Sequence, residues 1–141
     1  MPRVSVSSVE NLQVHVEFAD HSLLADEPAG VGDGKGPTPY DLLLSALGSC
    51  TVMTLLMYAR RKEWPLRDVR MQLEHDRIYE EDNVEVETDG GLLERYTLDI
   101  ELVGELDEEQ RERLAYIATR CPIRKTLSGT PHFEETVTVT N

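Results

Sequence analysis

The stretch "PTPYDLLLSALGSCTVMTLLMYARR", residues 37–61, constrains the fold more than any other part of the chain. It reads as one long helix. Thr38 suits the N-cap, Pro39 the first helical position, and Asp41 the N3 position near the positive end of the helix dipole. Leu43, Leu47, Cys50, Thr54 and Met57 recur at spacings of three and four, and Leu42, Ala46, Met53 and Leu56 widen that stripe. A helix apolar around most of its girth is expected to be central, covered by several partners. Arg60, Arg61 and Lys62 suit its negative end, and Pro65 closes it.

Strand signals surround this helix. "NLQVHVEF" alternates Leu12, Val14, Val16 and Phe18 against polar neighbours, and residues 19–21 turn the chain into a second strand near Ser22 to Leu24. "DEPAGVGDGKGPTP" is a Gly/Pro loop long enough to be functional. Beyond the helix, Val69, Met71, Leu73 and His75 alternate, as do Tyr96, Leu98, Ile100 and Leu102, with the acidic "EEDNVEVETDGG" expected as the hairpin loop between them. Asp107 caps a helix with Leu114, Ile117 and Ala118 facing inward. Pro122 interrupts it, and a short helix runs on to a stop at Gly129. "ETVTVTN" reads as a final strand. The expected order is β-β-α-β-β-α-α-β, an α+β class with antiparallel hairpins, in a single domain over residues 1–141.

Charge narrows the partners. A formal net charge of −13, from 27 acidic against 14 basic residues, repels phosphate backbones and anionic lipid. Neither nucleic acid nor a membrane surface is an expected partner. No uninterrupted apolar run reaches about 18 residues, so no membrane-spanning helix is expected. "MPRVSVSSVENLQ" lacks the apolar region of a secretory signal, which points to the cytoplasm.

The 2 cysteines are too few for a disulfide framework. His15, His21, His75 and His132 show no ligand spacing, so no metal and no cofactor is expected. "GDGKG" resembles a phosphate loop in composition only, without the required spacing. Cys121 precedes Pro122 at a helix start, with Arg120, Arg124 and Lys125 nearby, a setting that lowers a thiol pKa; read plainly, it is a mediocre N-cap beside a kink. Cys50 has the opposite surroundings. Its helical neighbours are Ala46, Leu47, Met53 and Thr54, and burial of that kind raises a thiol pKa and makes it inert.

Taken together, "GPTPYDLLLSALGSCT" and "EEQRERLAYIATRCPIRKTL", at their separation in this α+β order, resemble the osmotically inducible protein C and organic hydroperoxide resistance (OsmC/Ohr) family, in particular a stand-alone OsmC-like subgroup. The resemblance implies antiparallel sheets wrapped around central helices in an intertwined homodimer. It implies a thiol peroxidase acting on organic hydroperoxides, with Cys50 as the peroxidatic and Cys121 as the resolving sulfur. A dithiol reductant such as a lipoylated protein would close the cycle. The apolar stripe, Met53 included, would wall a pocket for the alkyl peroxide. Tyr40 stands where the best-studied members carry an activating glutamate, and Asp41 follows one residue later, so both are substrate-binding candidates. The arginine those members bring from their N-terminal strands has no counterpart between Asn11 and Leu24. Two other readings stay open: a non-catalytic protein of the same fold holding an apolar ligand at the dimer interface, and an acidic structural domain with inert thiols.

Overall fold

A computed structural model describes residues 1–79 and 92–141. The hairpin loop expected at "EEDNVEVETDGG" lies outside the described residues. The order is β1 (Ser5–Ser8), β2 (Val14–Phe18), β3 (His21–Ala25), α1 (Pro39–Lys62), β4 (Leu66–Tyr79), β5 (Leu92–Gly104), α2 (Glu108–Ala118) and α3 (Pro122–Ser128). This is the expected α+β class. The contacts divide the chain into two compact units, Met1–Ala46 with Leu73–Leu98 and Leu47–Gln72 with Asp99–Asn141.

In the first unit, β1, β2 and β3 form an antiparallel meander, with Val6 opposite Val16 and Val14 opposite Ala25. The alternation of Val4 and Val6 was the available sign of β1, which the sequence reading passed over. Ala19 turns β2 into β3 at a φ of 47°, a region an L residue enters at some cost. The Gly/Pro loop after β3 is ordered by one carboxylate. Asp26 is buried and accepts hydrogen bonds from the backbone N–H groups of Glu27 (2.7 Å), Lys35 (3.0 Å) and Asp33 (3.2 Å). A side chain at Gly36 would strike the Leu24 carbonyl oxygen, so the chain passes β3 only because glycine stands there. Burial raises the Asp26 pKa, but the three N–H groups and the Lys35 charge outweigh it and hold the carboxyl below the usual carboxylate range.

The start of α1 follows the sequence closely. Thr38 and Asp41 form a reciprocal cap: the Asp41 N–H donates to Thr38 Oγ1 (3.1 Å), and the Thr38 N–H donates to Asp41 Oδ2 (2.9 Å). At the other end, the Trp64 N–H reaches the Ala59 carbonyl (2.9 Å) and the Glu63 N–H the Arg60 carbonyl (3.1 Å). Glu63 has a φ of 57°, so this is a Schellman ending without its usual glycine. By length and composition α1 could cross a membrane, with mean hydropathy of 1.8, which corrects the expectation that no helix would meet that test. Its serines, threonines and glycine break the apolar run without charging it.

In the second unit, Leu55, Ala59, Val69, Leu114, Ile117 and Ala118 form the buried core, with Ile100, Leu102 and Trp64 against it. Leu114, Ile117 and Ala118 face inward as expected. The α2 cap is again reciprocal, Asp107 accepting from the Gln110 N–H (2.8 Å) and Gln110 Oε1 from the Asp107 N–H (3.0 Å). Strands β4 and β5 pair in an antiparallel sense, with Arg70 joined to Glu101 here and Arg95 to Asp76 in the first unit.

Two further expectations need correction. The buried ridge of α1 runs through Leu47, Gly48, Thr51, Leu55 and Ala59, whereas Met53 and Met57 are exposed. With apolar residues on every side of α1, spacing alone could not select the face. The other is the final strand: residues 130–141 form none, and Val137 and Val139 stand exposed. Alternation supplies a strand's faces but not the neighbour whose N–H and C=O groups it must pair with.

The Asp26 cluster gives a pH prediction. A carboxyl depressed in the folded state adds stability that is present above its unfolded pKa of about 3.9 and is lost as pH falls through the lower folded value. Asp26→Asn should therefore lower the melting temperature at neutral pH, and the deficit should shrink as both proteins are acidified through that window. Thermal denaturation across pH checks this; a deficit independent of pH would contradict it.

Candidate functional site

Pro122 has no N–H, so the first amide donors of α3 belong to Ile123 and Arg124, and no carbonyl within the helix can accept them. Two sulfurs do. Cys121, the N-cap of α3 in extended backbone, accepts the Arg124 N–H at 3.4 Å. The Ile123 N–H acts on both Cys121 and Cys50. Each thiol also acts on the other's ionisation. Both belong to the second unit, so one short helix gathers the two cysteines that lie far apart in sequence.

Their environments differ. Cys121 is 0% exposed, packed beside the equally buried Thr51, while Cys50 is half-buried. Burial pushes the Cys50 thiol up, and its contact with Cys121 adds to that; the Ile123 N–H and the Thr54 hydroxyl oppose without prevailing. At Cys121 burial also acts upward. There the Arg124 N–H, the Thr51 hydroxyl, the Cys50 thiol and the Ile123 N–H prevail, and the pKa is lowered. Thr51 has a single hydroxyl proton, which goes to the Leu47 carbonyl at 2.8 Å. Donation to a Cys121 thiolate therefore replaces that bond. The two thiols are thus shifted in opposite directions, Cys50 up and Cys121 down.

The cationic help expected at Cys121 comes in a different form. Arg124 acts through its backbone amide. Met53, expected as a pocket wall, is 60% exposed on α1, one turn beyond Cys50.

Tyr40 and Asp41 belong to the first unit. The Asp41 carboxylate is occupied in capping α1. The Tyr40 hydroxyl accepts from Arg77 Nη2 (2.8 Å), and its ring stacks on His75 with centroids 4.5 Å apart. Glu94 joins the set, accepting from Arg77 Nε (2.9 Å) and contacting His75 Nε2 (2.5 Å). The Arg77 bond, the His75 bond and their charges hold the Glu94 carboxyl below its usual range. Sequence reasoning missed this cluster. The alternation placed His75 on one face with Val69, Met71 and Leu73, but the pairing of Arg77 with Glu94 depends on strand register.

A family model described as OsmC-like protein matches residues 32–136. No curated protein matches the chain. Among solved structures, the chain is similar to an OsmC-like protein from Mycoplasma pneumoniae, at 23% identity and a TM-score of 0.73, covering 92% of this chain and 88% of the other. It is also similar to an organic hydroperoxide resistance protein OsmC from Legionella pneumophila, at 21% identity and 0.67, with coverages of 92% and 90%. The organic hydroperoxide resistance protein OhrB of Bacillus subtilis matches at 20% identity and 0.63, with coverages of 92% and 91%.

Thr51→Val tests the electrostatics of the pair. Losing the hydroxyl should move the titration of Cys121 to higher pH, read by ultraviolet thiolate absorbance, while costing no more than about 1.5 kcal/mol of stability. An unchanged titration would show that Thr51 does not support the Cys121 thiolate.

Proposed function

This chain belongs to the OsmC-like protein family, and from that premise we propose that it is a thiol peroxidase reducing organic hydroperoxides through Cys50 and Cys121. What supports the reading is a half-buried thiol and a fully buried one in the same unit, each acting on the other's ionisation, with the first turn of α3 donating to Cys121 and acting on Cys50. Cys50 is the sulfur a substrate can reach. In this reading it attacks the terminal peroxide oxygen, the O–O bond breaks, and an alcohol leaves. Cys50 becomes a sulfenic acid. The Cys121 thiolate then attacks the Cys50 sulfur, the S–O bond breaks, and water departs with a proton from solvent. The resulting disulfide is reduced by a dithiol such as a lipoylated protein, in the cytoplasm, where thiols are kept reduced.

Family relatives support the substrate class, since similar proteins from Legionella and Bacillus are named for organic hydroperoxide resistance. A homodimer belongs to the same reading. Met53 and Met57 are 60% and 68% exposed on α1, apolar surface that a second copy would cover.

One observation favours a second reading, a binding protein without turnover. The Cys50 thiol is raised, and the second unit holds a cavity of about 410 Å³ whose mostly apolar lining, Leu55, Ile100, Leu102 and Leu114 among it, also includes Glu101 and Arg111. That volume lies within the range of small-ligand sites.

The two readings separate on turnover. Under the peroxidase reading, reduced protein consumes cumene hydroperoxide faster than hydrogen peroxide, and Cys50→Ser loses the activity by about 100-fold or more. Cys121→Ser accumulates a sulfenic acid trapped by dimedone. Full turnover by Cys50→Ser would overturn the assignment of roles.

A further inference from the structure

We propose that the second unit carries a binding site for a free amino acid with an aromatic side chain, in the groove lined by the last turns of α1 and by α2. The groove has a volume of about 630 Å³, within the range of small-ligand sites, and neither Cys50 nor Cys121 lines it. The site stands independently of the peroxidase reading.

Its walls are aromatic. Tyr58 and Trp64 meet edge to face with ring centroids 5.6 Å apart, and Tyr116 joins them from α2, 50% exposed. Trp64 is half-buried; part of its surface packs against the core and part lines the groove. Such walls take a flat ring in offset or edge contact.

The charges of the groove are held apart. On α2, Glu109 precedes Arg113 by four residues, the spacing and order in which a helix favours an ion pair. Neighbouring Arg111 takes such a partner, Glu108. Arg113 does not. Its Nε donates to the Tyr58 hydroxyl at 2.9 Å, and its guanidinium lies 5.7 Å and 5.1 Å from the ring centroids of Tyr58 and Tyr116. Lys62 likewise lies 5.9 Å from the Tyr58 centroid. Among the described residues, no carboxylate forms an ion pair with Arg113 or Lys62, and no cation forms one with Glu109. Asp107 and Gln110 also line the groove, but they cap α2 through each other.

Residues four apart on a helix have Cβ atoms about 5–6 Å apart, so Glu109 and Arg113 flank a space one small group wide. An amino acid carries both complementary charges on a single carbon. Its carboxylate meets the Nη groups of Arg113, with Lys62 on the same side chain wall as Tyr58. Its ammonium meets Glu109, with Glu112 as a second acid in the lining. The side chain is left to face Trp64 and Tyr116. A simple anion would leave Glu109 unanswered, and a simple cation would leave Arg113 so.

Trp64 is the sole tryptophan of the chain, so its fluorescence reads this groove directly. Titration with L-phenylalanine should change that fluorescence saturably. N-acetyl-L-phenylalanine lacks the ammonium and L-phenylalaninamide lacks the carboxylate. Each should bind weaker by about tenfold or more, the loss expected for one hydrogen bond between charged groups. Glu109 and Arg113 are exposed, and circular dichroism verifies the fold of Glu109→Gln and Arg113→Gln. Glu109→Gln should weaken phenylalanine by the same factor without weakening the N-acetyl compound. Arg113→Gln should weaken phenylalanine without weakening the amide. Absence of saturable binding by phenylalanine would overturn the inference, as would equal affinity for the three ligands or variants that weaken all three alike.

Discussion

The site depends on the unpaired amides at the start of α3. A helix leaves its first N–H groups without internal acceptors, and Pro122 removes one of them, so Ile123 and Arg124 must find partners elsewhere. Oxygen-bearing caps are the usual solution. Here sulfur takes their place, Cys121 directly and Cys50 by reaching across from α1. Satisfying a backbone requirement thus also shifts the two thiols in opposite directions, Cys121 down and Cys50 up.

Burial makes that division matter. In a strongly acidic chain of net charge −13, a thiolate gains nothing from the overall field, and local donors must provide its stabilisation. Cys121 has them; Cys50, on its apolar helix, has fewer and is raised. The sulfur whose ionisation is favoured is fully buried, and the half-buried sulfur is the one whose ionisation is disfavoured.

Much of this was legible in the sequence where the cause is local. Thr38 with Asp41 and Asp107 with Gln110 cap their helices through residues three apart, and the alternation from Val69 to His75 marks an inward face before any partner strand is known. Pro122 announced the start of α3 and placed Cys121 at its cap. Features that depend on distant residues were not legible. The alternation of Val137 and Val139 promised a strand, yet pairing requires a neighbour that no local pattern specifies. Met57 and Leu55 are equally apolar, and only the packing of Leu114 and Ile117 decides that Leu55 is the buried one. The link from Tyr40 to Arg77, His75 and Glu94 needs the register of two strands. The proposal to pair Cys50 with Cys121 came from the OsmC-like motifs, since spacing alone would never have suggested it.

The central claim is that Cys50 and Cys121 form one redox unit. Its most direct measurement is the thiol content of the reduced protein after one equivalent of cumene hydroperoxide, with the products mapped by peptide mass spectrometry under non-reducing conditions. The account predicts the loss of both thiols and a single intrachain disulfide joining the peptide that holds Cys50 to the one that holds Cys121. Two free thiols surviving beside unconsumed hydroperoxide would contradict it.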